Sequence, residues 1–96
     1  MPRVIFAPAA IRDLERLQAF LRSKNPSAAK RAGEAIVRGV QALGTHPHMG
    51  RLIEDLSEEY REWIIDFGDT SYLVRYHIDE HAVTILAVRH QKEAGY

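Results

Sequence analysis

The stretch FLRSKNPSAAK, from Phe20 to Lys30, decides how this chain is organised. A residue that precedes proline is pushed out of the helical region, so a helix arriving at Asn25-Pro26 ends near Ser23 or Lys24. A second helix can begin at once. Asn25 is a strong N-cap, and Pro26 suits the first helical position, where its missing N–H costs nothing. A link of one or two residues predicts two antiparallel helices, a helical hairpin.

Backwards from the link, Ile11, Leu14, Leu17, Gln18 and Leu21 fall on one side of a 3.6-residue period that begins at Ala9. Arg12, Asp13, Arg16 and Arg22 lie elsewhere. Forwards, Ala29, Ala32, Gly33, Ile36, Val40 and Leu43 form a stripe whose small residues permit close approach to the first helix. Gly44 is the expected C-cap of this second helix, which runs from Pro26 to about Leu43. Phe20 and Val37 do not fit. At ~100° per residue, Phe20 lies about 100° from the centre of its stripe and Val37 at the edge of its own. Either they widen the core at its margins, or they line an exposed apolar groove where a partner helix could lie.

Beyond the hairpin the period changes to two. RVIFA (Arg3 to Ala7), stopped by Pro8, reads as a strand. THPHMGR (Thr45 to Arg51) is turn chemistry. YREWIIDF (Tyr60 to Phe67), TSYLVRYHI (Thr70 to Ile78) and AVTILAVRH (Ala82 to His90) follow as strands. Their links, Gly68-Asp69 and Asp79-Glu80-His81, are short and polar, so the three form an antiparallel meander. The expected fold is α+β in the order β-α-α-β-β-β, an antiparallel sheet with the N-terminal hairpin packed on one face. Residues 1–96 make one domain.

Alternation assigns faces. Trp63 and Phe67, with Ile65 between them, should lie under the helices. Tyr72, Val74, Tyr76 and Ile78 should also face them, leaving Leu73, Arg75 and His77 on the open side. On the last strand Arg89 groups with Val83, Ile85 and Ala87, and His90 with Thr84, Leu86 and Val88. Both sets contain apolar residues, so alternation leaves open which of Arg89 and His90 points outward.

Composition removes several functions. There is no cysteine, which excludes disulfides and thiolate metal sites. The five histidines are scattered apart from His46-Pro47-His48, so no metal site is expected, nor a cofactor or a small-molecule ligand. No window approaches the ~18 apolar residues of a membrane span, and the apolar run at the N-terminus is too brief for a signal sequence. The expectation is a soluble, cytoplasmic protein without a membrane partner. Thirteen Lys and Arg balance thirteen Asp and Glu, which weighs mildly against a domain built to grip nucleic acid.

FAPAAIRDL (Phe6 to Leu14), HPHMGR (His46 to Arg51) and ILAVRHQKEAGY (Ile85 to Tyr96), in that order and spacing, resemble the RelE/ParE superfamily. These are bacterial toxins of type II toxin–antitoxin modules. The resemblance implies a cognate antitoxin whose C-terminal segment wraps the toxin, with the Phe20 and Val37 margin as its site. It also implies one of two targets. RelE-like members cut mRNA in the ribosomal A site, whereas ParE-like members cut nothing and poison DNA gyrase.

Metal-free RNA cleavage needs a base for the 2′-hydroxyl, cations for charge building on phosphorus, and an acid for the leaving oxygen. Arg61, Arg75, Arg89, His90 and Tyr96 supply those residue types. In the gyrase reading, Arg89, His90, Lys92 and Tyr96 form a contact surface instead. Ribosome-directed members resemble one another in being basic, because they dock among phosphates. This chain is neutral, and between Thr45 and Trp63 its only lysine or arginine residues are Arg51 and Arg61. The ParE-like reading is favoured. Whether the chain is an enzyme stays open at this point.

Overall fold

A computed structural model describes residues 3–93. The element order is β1 (Arg3–Phe6), α1 (Pro8–Lys24), α2 (Pro26–Thr45), a short 3-10 turn (Pro47–Met49), β2 (Arg51–Leu52), β3 (Tyr60–Phe67), β4 (Thr70–Ile78) and β5 (Ala82–His90). The α+β class, the hairpin and all three meander strands stand as predicted. Asn25 serves both helices. Its backbone N–H donates to Leu21 at 2.7 Å, closing α1, and its side chain accepts the Ala28 N–H at 3.1 Å, opening α2. Across the hairpin, Gln18 donates to the Ala29 carbonyl at 2.9 Å, through space that a side chain at Gly33 would fill.

The sheet runs β1-β5-β4-β3-β2. The meander is antiparallel, but β1 joins β5 in parallel, with Arg3 to Phe6 alongside Ala82 to Ile85. The sheet is therefore mixed. The helical hairpin sets β2 down opposite in direction to β1, and three further reversals bring β5 back alongside β1 in the same direction. β2 adds a two-residue outer rung on Glu62 and Arg61.

A second departure concerns Gly44. It does not end α2 but lies buried in its last turn, and His46 is the cap, with its N–H donating to Ala42 at 2.9 Å. Pro47 explains the shift, because the residue before it cannot stay helical.

The two helices share the core unequally. α2 buries Ala29, Ala32, Ile36, Val40 and Leu43, whereas α1 buries only Ala10 and Leu17. At roughly 1.5–3 kcal/mol per large apolar side chain, Ile36, Val40 and Leu43 make α2 the more deeply buried helix, while Leu14 and Leu21 of α1 pack half-buried against the same core. Their sheet partners are Ile65, Tyr72, Val74, Tyr76, Val83, Ile85 and Val88, with Trp63 and Phe67 half-buried beside them. The assignment of β3 and β4 faces is thus as expected.

On β5 the simple alternation fails. Tyr76 pairs with Ile85 and Arg75 with Ala87, so Leu86 is an extra residue in a β-bulge. Ile85 therefore shares the helix-facing side with Val88, which strict alternation had put on opposite sides. Beyond the bulge His90 lies opposite Tyr72, on the helix side. Arg89 lies opposite Leu73, on the open side.

Both tight turns follow from their residues. Gly68 has φ 61°, the one positive value in the two-residue link between Phe67 and Thr70, which matches a type II′ hairpin. At the other link the Asp79 carboxylate accepts the His81 and Ala82 N–H groups at 2.7 and 2.8 Å. These two bonds hold its pKa below the usual aspartate value.

Candidate functional site

Two features along the helix-facing side of β4 hold most of the polar chemistry. The first surrounds Tyr76, where THPHMGR docks on the sheet. The buried Tyr76 hydroxyl accepts the Gly50 N–H at 3.0 Å and donates to the Pro47 carbonyl at 2.6 Å. Burial pushes its pKa up. Gly50 has no room for a side chain: a Cβ would lie 2.4 Å from the Tyr76 oxygen and 2.7 Å from the Glu62 carbonyl. Arg61 completes the closure by donating to the His48, Gly50 and Glu58 carbonyls at 3.1, 3.0 and 3.2 Å. This end is fully engaged with itself.

The second feature lies at the Tyr72 end of β4, four residues away and about 13 Å along the strand at ~3.3 Å per residue. Here α1 rises past the end of β5 and leaves a groove of 650 Å³. Leu17, Phe20, Leu21 and Tyr72 make its apolar bed, and Arg16, Lys24, His90, Lys92 and Glu93 its rim. Phe20 is 59% exposed, with the Lys24 ammonium 5.3 Å from its ring centre. His90 packs edge-on against Tyr72 with ring centres 5.4 Å apart. Its Nδ1 accepts the Lys92 N–H at 3.1 Å, which leaves the proton on Nε2 for donation to Thr70 Oγ1 at 2.7 Å. Held from both ring nitrogens, the imidazole braces the end of β5.

An acidic pair ties the groove to α1. Asp13 accepts the Val88 N–H at 2.9 Å and an Arg89 N–H at 2.8 Å. The β5 edge is open there because β1 stops at Phe6, opposite Ile85. Glu93 pairs with Arg16 and accepts the His90 N–H at 3.3 Å. The hydrogen bond that Arg16 donates to Glu93 raises the Arg16 pKa further above its usual value.

The sequence-predicted site residues do not converge. Arg61 belongs to the helix-facing side at the Tyr76 end. Arg75 is on the open face, 3.0 Å from Glu62, which Arg51 also approaches at 3.3 Å. Arg89 starts on the open face and reaches round the sheet edge to Asp13, while His90 lines the groove. Phe20 and Val37 are both exposed, but they do not share one groove. Val37 borders a separate shallow depression with Gln18, Gly33, Glu34 and Arg38. Lys92 is on the groove rim, and Tyr96 lies outside the described residues.

Sequence reasoning missed Arg16, Lys24, Tyr72 and Glu93 as groove residues. A signal was present on α1, where Asp13, Arg16, Phe20 and Lys24 recur at spacings of three or four and so share one strip. Only the placement of β5 beneath that strip turns it into a wall.

Among the described residues, no helix is long and apolar enough to cross a membrane. Comparison with known proteins finds toxins under two names, ParE and RelE. The family described as "ParE toxin of type II toxin-antitoxin system, parDE" matches residues 4–95. "Toxin RelE3" of Caulobacter vibrioides is 36% identical over 93 residues, which is 97% of this chain and 98% of the relative. "Toxin RelE1" of the same organism is 30% identical over 90 residues, 94% of each. The fold matches a solved structure titled "Chromosomal ParDE TA system from P. aeruginosa", with TM-score 0.77 and 19% identity over 94% of this chain and 96% of that one. With nearly its whole length matched, the chain belongs to the ParE toxin family of type II toxin–antitoxin systems.

Proposed function

We propose that this toxin acts by binding DNA gyrase rather than by cutting RNA, and that its cognate antitoxin neutralises it. The observation that carries the reading is the dispersal of the cations that RNA cleavage would need. Arg61 is spent on three backbone carbonyls, Arg75 faces the opposite side of the sheet beside Glu62, and Arg89 reaches Asp13. A phosphorane needs several donors within about 3 Å of one point. His90 is about 13 Å along the strand from Arg61 and is braced by Thr70 and Lys92. The zero net charge adds weight, because docking among ribosomal phosphates rewards a basic surface.

The measurement is gyrase supercoiling and cleaved-DNA accumulation with the purified chain. Inhibited supercoiling with trapped breaks is the expected result. Unimpaired supercoiling at excess toxin rejects the target.

The names of the two relatives favour a second reading, a RelE-like endoribonuclease acting on ribosome-bound mRNA. It requires A-site cuts in a translating extract that are suppressed by substituting Arg61, Arg75 or Tyr96. Intact message throughout eliminates it.

A further inference from the structure

The zero net charge of this chain hides a separation along its length. From Arg16 to Gly33 there are five cations, Arg16, Arg22, Lys24, Lys30 and Arg31, and no carboxylate. Four balancing acids, Glu54, Asp55, Glu58 and Glu59, lie in the connection from β2 to β3. The one-residue link at Asn25 brings Arg22 and Lys24, at the end of α1, to the same tip as Lys30 and Arg31, in the second turn of α2. All four are exposed, and among the described residues none pairs with a carboxylate. Asp13 and Glu93 are both engaged with Arg16, and Glu34, one turn on from Lys30, forms no ion pair with it. Helix stability accounts for half of the tip. Arg22 and Lys24 complement the dipole of α1, but Lys30 and Arg31 gain nothing from that of α2, whose first turn holds no acid to offset them. The tip is also polar. No large apolar side chain is exposed between Arg22 and Arg31, where the remaining exposed residues are Ser23, Asn25, Pro26 and Ser27. Protein interfaces are built round an apolar or aromatic centre, whereas phosphate contacts need only cations and small polar groups.

We propose that the tip of the helical hairpin grips the phosphate backbone of the duplex DNA on which the gyrase target works. The proposal rests on the gyrase reading and adds a second contact to it, made with the DNA. A grip on a few phosphates requires only a local patch, unlike docking among phosphates on every side, so zero net charge does not oppose it. A toxin held by both the enzyme and its DNA leaves their complex more slowly than one held by either alone. Trapping of cleaved DNA therefore acquires a salt dependence set by Arg22, Lys24, Lys30 and Arg31.

The test uses the full chain and fluorescence anisotropy of a labelled duplex of about 30 base pairs, at about 50 to 200 mM salt. The dissociation constant should be on the order of 10 µM at low salt, and four phosphate contacts should give log K against log salt a slope of about −3.6. Lys24→Gln and Lys30→Gln should each flatten that slope by about 1. Arg22→Gln, Lys24→Gln, Lys30→Gln and Arg31→Gln together should bring it near zero. Arg12→Gln with Arg38→Gln, which removes two exposed hairpin cations away from the tip, should leave it unchanged. Circular dichroism on every variant establishes that it folds. A slope kept by the fourfold variant, or lost equally in the Arg12 and Arg38 control, overturns the tip contact. Displacement of the duplex by oligoglutamate at lower concentration than by unlabelled duplex overturns the partner class. In the gyrase assay the fourfold variant should trap fewer breaks while binding DNA-free gyrase as the parent does. Trapped breaks that the fourfold variant leaves unchanged remove the DNA contact alone. Duplex binding with the expected slope but no trapped breaks from the parent removes the gyrase target alone.

Discussion

Tyr72 and Tyr76 sit four residues apart on the same side of β4, both buried, yet the two ends of the strand are finished in opposite ways. Around Tyr76 the hydroxyl, Gly50, Pro47 and Arg61 consume one another's hydrogen bonds. Around Tyr72 the ring is the floor of an open groove with an exposed phenylalanine and a partly exposed ion pair. The difference separates two kinds of residue. HPHMGR, the most recognisable part of the sequence, works to close the fold. The open end draws His90, Lys92 and Glu93 from ILAVRHQKEAGY and Arg16, Phe20 and Lys24 from α1.

That contrast breaks most readily at Gly50. Gly50→Ala forces a Cβ against the Tyr76 oxygen and the Glu62 backbone carbonyl, and the latter cannot move without disturbing β3. The expected cost is about 3 kcal/mol, a fall in Tm of roughly 15 °C for a domain of this size by thermal denaturation. A near-neutral result would mean the Tyr76 end is looser than described.

Tyr76→Phe should cost about 2 kcal/mol, because it leaves the Gly50 N–H and the Pro47 carbonyl without their partner. It also has a pH signature. Burial raises the folded-state pKa of this hydroxyl above the ordinary 10.0. A group raised in this way contributes stability that is present below its unfolded value and is lost as pH rises through the folded one. Alkaline unfolding should therefore be shallower in Tyr76→Phe than in the parent. Some alkaline slope should persist, because burial and Glu93 raise Tyr72 as well.

Much of the fold was legible in the sequence because it is local. Asn25-Pro26, Gly68-Asp69 and the three meander strands are each set by a few neighbouring residues. What alternation could not reach was set by distant partners. The bulge at Leu86 arises from pairing with Arg75 and Tyr76, and it alone decides that His90 turns inward while Arg89 does not. The parallel pairing of β1 depends on where the hairpin sets the chain down. Phe20 and Val37 share a chemistry but not a groove, because Gln18 and Phe20 flank opposite sides of Leu17 on α1. The groove itself joins α1 to the end of β5, segments from opposite ends of the chain.

Asp13 is intermediate between the two ends. Asp13→Ala removes the acceptor of the Val88 N–H and the Arg89 contact at a partly shielded site, so about 1.5 kcal/mol should be lost in urea denaturation. Loss of the Val88 N–H partner should also appear as faster amide exchange at the end of β5. Unchanged exchange would indicate that the β5 edge is held by something else.

The smallest stability effect belongs to Phe20, and its smallness is the point. A phenylalanine in a core costs roughly 3–5 kcal/mol when cut to alanine, because a cavity replaces it. At 59% exposure Phe20 has no cavity to leave. Its ring does shelter the Lys24 ammonium, but such exposed contacts are worth about 0.5–1 kcal/mol. Alanine, the best helix former, recovers part of that. Phe20→Ala should therefore change unfolding free energy by less than about 0.5 kcal/mol, measured by urea denaturation. If the variant instead loses several kcal/mol, Phe20 is part of the core, and the groove is a dent in packing rather than a surface kept for a partner.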